Sequence, residues 1–373
     1  MTSSGLRVAL AHQTVRGGDA IGNDVLGMYR ALEADGFRPA ILCERYEPPP
    51  GPALDARVGP LPQAHMGDFD ALVYHHSIYW PMGDGVFADM RGPRIVKFHN
   101  VTPMEFFLGY SESYAYACRE GRHQTHRLFA SGRVTRWQAD STFNADELRA
   151  WGEDAARIDI VPPFTRAPDL LPTPRNSPAG GIRPVIAVHV ARVAPNKGYA
   201  DALRMAGAWR TLVPELPLEL RFVGGRDPLL ATYREEIDAL EASLGLQGSV
   251  RWIESPSDEA LDAILRGADV YLNFSRHEGF CVPLVESQAL GLPTVSYDAG
   301  AVRETAGAGQ VVLPACSTPE DFETLAGVVH AVATSGLLRA RIADAGEQNV
   351  RSRFTRERTA STFVASLRRA LGG

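Results

Sequence analysis

Cysteine is scarce in this chain of 373 residues: there are four, Cys43, Cys118, Cys281 and Cys316, far apart and with no CxxC among them. That spacing excludes a disulfide scaffold and a thiolate zinc cluster, and the four read as thiols. The ten histidines form no HExxH, and no EF-hand-type acidic loop is present, so no dedicated metal site is legible. Positive charge is also short, with 38 Lys and Arg against 44 Asp and Glu and a pI near 6.0. Broad nucleic-acid binding needs a basic footprint and is disfavoured. No apolar run is long enough to span a bilayer. The opening MTSSGLRVAL passes straight into a strand-like run, without the basic start, apolar core and cleavage site of a signal peptide, so cytoplasm is the expected compartment. A clean GxGxxG is missing too: GGDAIGN at 17–23 does not fit, and no acidic residue stands at the next strand's end for a dinucleotide ribose.

What is present is an alternation of short apolar runs with amphipathic segments. Strands are expected at 6–12, 38–43, 70–75, 94–99, 136–141 and 158–161, with a helix over 23–34. A second series has strands at 185–190, 218–223, 250–253, 270–274, 293–297 and 310–313, and helices at 199–208 and 229–244. Such alternation predicts βαβ units and parallel sheets. Between them, residues 165–184 are rich in proline and glycine without either period, which reads as a linker. The chain therefore divides into an N-terminal domain over 1–170, a linker over 171–183 and a C-terminal domain over 184–355. The amphipathic tail 356–373 carries Phe363, Leu367 and Leu371 on one face. Ligands of doubly wound sheets bind outside the carboxyl ends of the strands. A basic cluster, Arg122, His123, His126, Arg127, Arg133 and Arg136, reads either as a solvated helix face or as a weak peripheral contact with an anionic membrane.

The most informative stretch is 273–293, NFSRHEGFCVPLVESQALGLP. A strand ends near Ser275, a loop carries Glu278, Gly279, Phe280 and Cys281, and a helix begins near Pro283, where a missing N–H costs nothing. Loop amides and the helix N-terminus together make a spot suited to phosphate. Glu278 and Glu286 flank that spot from loop and helix, and carboxylates accept hydrogen bonds from vicinal hydroxyls. Upstream, HVARVAPNKG follows a strand and offers Arg192 and Lys197 as two cations for one diphosphate. In the N-terminal half, His99 follows the strand run ending KFHN, with His75 and His76 as rivals at another strand end.

EGFCVPLVE resembles the EX7E motif of the family-4 retaining glycosyltransferases, which have the GT-B fold, with Cys281 where a second glycine is common. HVARVAPNKG is similar to the G-R-x-x-x-x-K-G element of that family, with Ala191 at the usual glycine. The resemblance implies an α/β GT-B architecture: two doubly wound Rossmann-like domains facing a cleft, the C-terminal helix returning to the N-domain. It implies a nucleoside-diphosphate sugar as donor, with no cofactor and no metal. Glu286 would hold the ribose, Arg192 and Lys197 the diphosphate, the amides of Gly279, Phe280, Cys281 and Val282 would assist, and Glu278 would hold sugar hydroxyls. Gly17 and Gly18 resemble the first βα loop, near the diphosphate and the acceptor, and Glu254 lies at a position near the base. His99 matches a functional histidine that follows a strand. Catalysis would rest on His99, Glu278, Arg192 and Lys197 without a general base. The segment YDAGAVRE at 297–304 would support the donor loop. The acceptor is a saccharide, a lipid-linked species or a small molecule. Two other readings stay open at this point: an epimerase or hydrolase of the same fold, and a sugar-nucleotide-binding scaffold without turnover.

Overall fold

A strand buried on both faces of a parallel sheet must be apolar along its whole length, and its neighbours must be helices that cover those faces. The computed structural model, described for residues 5–47, 53–59, 66–170, 172 and 183–372, is built this way twice. One unit comprises Met1–Met104, Ala115–Arg166 and Thr355–Gly373; the other comprises Glu105–Tyr114 and Ala167–Phe354. Most of the expected linker lies outside the described residues.

The first unit has strands β1 (Arg7–Ala11), β2 (Thr14–Arg16), β3 (Arg38–Cys43), β4 (Arg45–Glu47), β5 (Ala56–Val58), β6 (Ala71–His76), β7 (Arg94–Phe98), β8 (Arg136–Ala139) and β9 (Ile158–Ile160). Its helices are α1 (Ala20–Ala34), α2 (Pro81–Asp89), α3 (Glu112–Ala130), whose first turn belongs to the second unit, and α4 (Thr142–Ala150). Seven strands form one parallel sheet in the order β5-β3-β1-β6-β7-β8-β9, while β2 and β4 pair separately. The first strand lies inside the sheet between β3 and β6. The crevice where the winding reverses is therefore at the carboxyl ends of β1 and β6.

The second unit holds β10 (Val185–Val190), β11 (Leu218–Val223), β12 (Val250–Ile253), β13 (Val270–Asn273), β14 (Thr294–Tyr297) and β15 (Val311–Leu313). Its order is β12-β11-β10-β13-β14-β15, all parallel. Here the winding reverses between β10 and β13. Its helices are α5 (Tyr199–Leu212), α6 (Ala231–Ser243), α7 (Asp258–Arg266), α8 (Val282–Ala289), α9 (Val302–Ala306), α10 (Pro319–Thr334) and α11 (Gly336–Arg353). Successive side chains of a strand point to opposite faces. Ala187 and Leu272 accordingly join the core under α5 and α10, while Val188 and Tyr271 join the one under α8.

The last helix, α12 (Arg356–Ala370), packs in the first unit, as its apolar face implies. Thr355 caps it, and Phe363 and Leu367 are fully buried in the core with Val8, Leu10 and Met28. Polar ties add to this: the Ser366 hydroxyl donates to Asp159 (2.6 Å) and accepts from Gln138 (3.0 Å), and Arg369 reaches Asp159 at 2.7 Å. Truncating Phe363 to alanine should remove about 3–5 kcal/mol from this unit, by lost burial and the cavity left behind. Urea unfolding of the variant measures it.

Helix α1 starts three residues earlier than expected, because Asp19 caps it by accepting from the Gly22 amide at 2.6 Å. Segment Glu105–Tyr114 belongs to the second unit although its sequence neighbours belong to the first. The basic cluster is largely neutralised: Arg122 pairs with Glu147 (2.6 Å), Arg127 with Asp84 (3.0 Å) and Arg136 with Asp159 (2.7 Å). Arg133 donates to the Ala88 carbonyl and His126 lies against Trp151. Among the described residues no helix is long and apolar enough to cross a membrane.

Candidate functional site

In the second unit the winding reversal puts the loop after β10 beside the loop after β13. Two close approaches hold them together. Gly198 has φ 70° and lies so near the Phe274 carbonyl that a Cβ could not fit, and the Arg276 amide donates to the Asn196 carbonyl at 2.9 Å. The result is that Lys197 Nζ meets Glu278 Oε1 at 2.8 Å, with both side chains mostly buried. Two residues predicted from separate motifs are thus one ion pair. A ligand phosphate would meet a lysine already fixed in place by a carboxylate.

Arg192 takes a different partner. Its guanidinium lies 5.0 Å from the centre of the Tyr114 ring and donates to the Tyr114 hydroxyl at 3.1 Å. That hydroxyl in turn donates to the Asp227 carboxylate. Tyr114 comes from the segment Glu105–Tyr114, so reading the second half of the sequence alone could not include it. Glu254 pairs with Arg226 at 2.7 Å, and Arg226 lies over the Trp252 ring.

The loop 278–282 is held from below. The Ala301 amide donates to the Glu278 carbonyl at 2.9 Å, and Gly300 (φ 59°) leaves room for that carbonyl. Arg303 grips Asp298 with two bonds of 2.8 and 2.6 Å, so the segment after β14 buttresses the loop. The Phe280 side chain is buried edge-on against Phe354 at 5.4 Å, so only its backbone is left to face a ligand. Gly279 precedes it. Val282 opens α8, whose N-cap is Cys281 at φ 77°, and Glu286 is buried midway along that helix.

The left-handed backbone explains why glycine suits position 281. Burial pushes the Cys281 thiol well above the ordinary range, and the side chain bonds with the Tyr271 hydroxyl. Cys281→Gly should relieve about 1–2 kcal/mol of backbone strain while losing a buried thiol contact, and so stay within about 1 kcal/mol of the parent. Cys281→Val, β-branched at positive φ, should cost at least about 2 kcal/mol. Denaturant midpoints of the two variants decide it.

In the first unit, Gly17 and Gly18 form the turn into α1, Gly18 at φ 88° with its amide donating to the Asn23 side chain at 3.2 Å. His99 lies one residue beyond β7, and both its nitrogens are engaged internally: Nδ1 with Asp140 Oδ2 at 2.8 Å, and Nε2 with His75 Nδ1 at 2.9 Å. Asp140 is held by Lys97 as well (2.6 Å). Asp24, on the buried face of α1, stands 3.8–3.9 Å from His75, His99 and Lys97. His76, the other rival, is also turned inward, to Thr125 at 2.7 Å.

Burial raises the Asp24 carboxyl, with Lys97 working against it. Burial alone would raise Asp140 too, but His99 and Lys97 together outweigh it and hold that carboxyl below its usual range. Burial, reinforced by His99 and His12, drives His75 well below the ordinary histidine value. Asp24 and Lys97 were missed by sequence reading. The available signal for Lys97 was a charged residue inside the apolar strand run RIVKF; Asp24, next to Asn23 in an amphipathic helix, had none.

With this geometry in view, the comparisons fall into place. The fold is GT-B. A sucrose-phosphate synthase from Thermosynechococcus elongatus superposes with a TM-score of 0.77 at 16% identity, over 98% of this chain and 99% of that one. The Anabaena protein HepE, in complex with UDP-glucose, gives 0.72 at 16% identity, over 97% and 99%.

Residues 175–349 match the family described as Glycosyl transferases group 1. The chain is 27% identical to a D-inositol 3-phosphate glycosyltransferase of Rhodococcus erythropolis over 62% of its length and 53% of that protein's. It is 31% identical to an MMP alpha-(1->4)-mannosyltransferase of Mycolicibacterium hassiacum over 50% of its length and 43% of that protein's. The chain thus spans about half the length of these curated relatives.

Proposed function

We propose that the protein is a glycosyltransferase that moves a hexose from a nucleoside-diphosphate sugar onto an acceptor hydroxyl, with the EX7E logic of the family-4 enzymes. The observation that carries this is the Lys197–Glu278 pair at the reversal of the second sheet, inside the segment that matches group 1 glycosyltransferases. A diphosphate bound beside the amides of 279–282 and Lys197 would leave with its growing charge stabilised. Arg192 supplies a second cation in the same loop, so no divalent ion is needed for the leaving group.

The reading is retention of anomeric configuration. The bond from the anomeric carbon to the diphosphate oxygen breaks, the acceptor oxygen bonds on the same face, and its proton passes to the departing phosphate oxygen. Glu286 binds the ribose and Glu278 the sugar hydroxyls. For His99 to contact the donor, its Nε2 must leave His75. The acceptor is a saccharide, glycolipid or small molecule in cell-surface glycan synthesis, and the protein works in the cytoplasm, including at the inner membrane face.

Thermal unfolding against UDP-, GDP- and ADP-sugars in EDTA tests it. A ligand that binds only the folded protein raises the melting temperature. One nucleotide class should do so, and Glu286→Ala should abolish the rise. No shift with any of them, from folded protein, overturns the reading. The anomeric signal of the product, read by NMR, tests retention.

A further inference from the structure

We propose that the first unit binds a divalent transition-metal ion, Zn2+ by its donor chemistry, between Asp24, His75 and His99. The three ligand atoms are Asp24 Oδ2, His75 Nδ1 and His99 Nε2. They are separated by 3.8 Å (Asp24 to His75), 3.9 Å (Asp24 to His99) and 2.9 Å (His75 to His99). Ligands set tetrahedrally around zinc at its usual nitrogen and oxygen distances lie about 3.3 Å from one another. The triangle needs adjustments of well under an ångström to receive the ion. Its corners come from three elements, the α1 helix, the end of β6 and the residue after β7, so an ion there ties the helix to the sheet.

Two independent observations point to a ligand. Asp24 Oδ1 accepts from the Phe164 amide at 2.8 Å, but Oδ2, on a side chain with no solvent exposure, has no hydrogen-bond partner. A buried carboxylate oxygen left so is costly and calls for a cation or a proton. Second, His99 is presented as metal-bound histidines are. Its Nδ1 bonds a carboxylate, Asp140, which fixes the tautomer with the lone pair on Nε2, and Nε2 faces Asp24 and His75.

In the metal-free protein the His75–His99 contact shares one proton between two nitrogens, and the ion takes that proton's place. Lys97 is the nearest competing charge, 3.9 Å from Asp24 Oδ2. It is committed to Asp140 at 2.6 Å and to the Val161 carbonyl. With both carboxylates ionised and both imidazoles neutral the cluster retains negative charge, which a cation offsets. Two imidazoles and one carboxylate suit zinc; calcium and magnesium require oxygen donors. Occupancy also withholds His99 from any donor sugar, so bound metal should slow transfer. That consequence rests on the proposed function, whereas the site does not.

The full chain, stripped with EDTA and dialysed, is titrated with Zn2+ by calorimetry and with Co2+ by absorption. The expected result is one equivalent bound, intense ligand-field bands of tetrahedral cobalt, and no uptake of Mg2+. Asp24→Asn and His75→Gln should each lower affinity by about a hundredfold, and Asp140→Asn by about 10- to 100-fold, as outer carboxylates do. His123→Gln, at an exposed histidine, should change nothing. Should the buried variants not fold, X-ray absorption of the zinc-loaded parent decides by itself: two imidazoles in the zinc shell support the site. A parent that takes up no stoichiometric zinc, a zinc shell without imidazole pairs, or undiminished affinity in folded Asp24→Asn overturns the proposal.

Discussion

Replacing Lys197 by alanine is expected to lower kcat/KM for sugar transfer by about 10²- to 10³-fold, or roughly 3–4 kcal/mol of transition-state stabilisation. The loss should fall mainly on kcat, because charge on the departing diphosphate is greatest after the glycosidic bond has begun to break. The ion pair with Glu278 makes the prediction specific. Without the lysine, Glu278 keeps its charge beside the proposed phosphate site and is no longer offset by its partner. Glu278→Gln alone should be milder on diphosphate binding and harsher on sugar binding. Lys197→Arg should recover only part of the activity, because a planar fork cannot replace a compact charge at 2.8 Å from one carboxylate oxygen. The fold should persist in all three, because neither side chain belongs to an apolar core. Steady-state kinetics of the variants beside their melting temperatures are the measurement. A Lys197→Ala enzyme with parental kcat/KM would remove the lysine from the chemistry and leave it a loop fastener.

The second unit was the more legible half, for a physical reason. Strands β10, β11 and β12 were read with the bounds they have, because each is a short run rich in β-branched, aromatic and other apolar residues closed by turn residues. Arg192, Lys197, Glu278 and Glu286 lie in two short loop-and-helix segments, so their motifs survive in linear sequence. The pairing of Lys197 with Glu278, 81 residues apart, needed the sheet order that sets β10 against β13.

The first unit hides its polar centre for the same reason. Asp24, His75, Lys97, His99 and Asp140 sit on four segments far apart in sequence, and only the sheet order brings them together. His99 was read from its place after a strand run alone. Its position one residue past β7, with Asp140 beside it, turns it inward. The three-residue β2 and β4 carry no period that sequence could show, and their pairing depends on the turn that precedes α1.

Stability is expected to fall steeply as the pH drops from 6.5 towards 4, because four buried histidines, His12, His75, His76 and His189, must stay neutral in the folded protein. Burial lowers His12 to about 4, with His99 adding to the shift; it lowers His76 to about 4, and His189 to about 4 although His189 bonds the Leu272 carbonyl. In the unfolded chain each titrates near 6.5. Above that value both states are neutral and stability is fully present. Between 6.5 and 4 the unfolded chain binds more protons, so each histidine withdraws about 1.4 kcal/mol per pH unit, or roughly 3 kcal/mol over the window. In the first unit His12 and His76 together withdraw roughly 7 kcal/mol, comparable to the whole stability of an ordinary domain, about 5–15 kcal/mol. Asp24, Asp19 and Asp201 act in the opposite sense, because burial raises their carboxyls and lets the folded state take up a proton first, whereas Asp140, Asp159 and Asp269, held low by their cationic partners, add to the loss. Urea unfolding in EDTA at steps from pH 7 to 4.5 should show this slope. His189→Asn can keep a donor near the Leu272 carbonyl and removes the titrating ring. It should flatten the transition of the second unit by about 1.4 kcal/mol per pH unit and leave that of the first unchanged. A parent whose midpoint is level across the window would mean that these rings accept protons where they lie, and that the interior around β6 and β10 admits water.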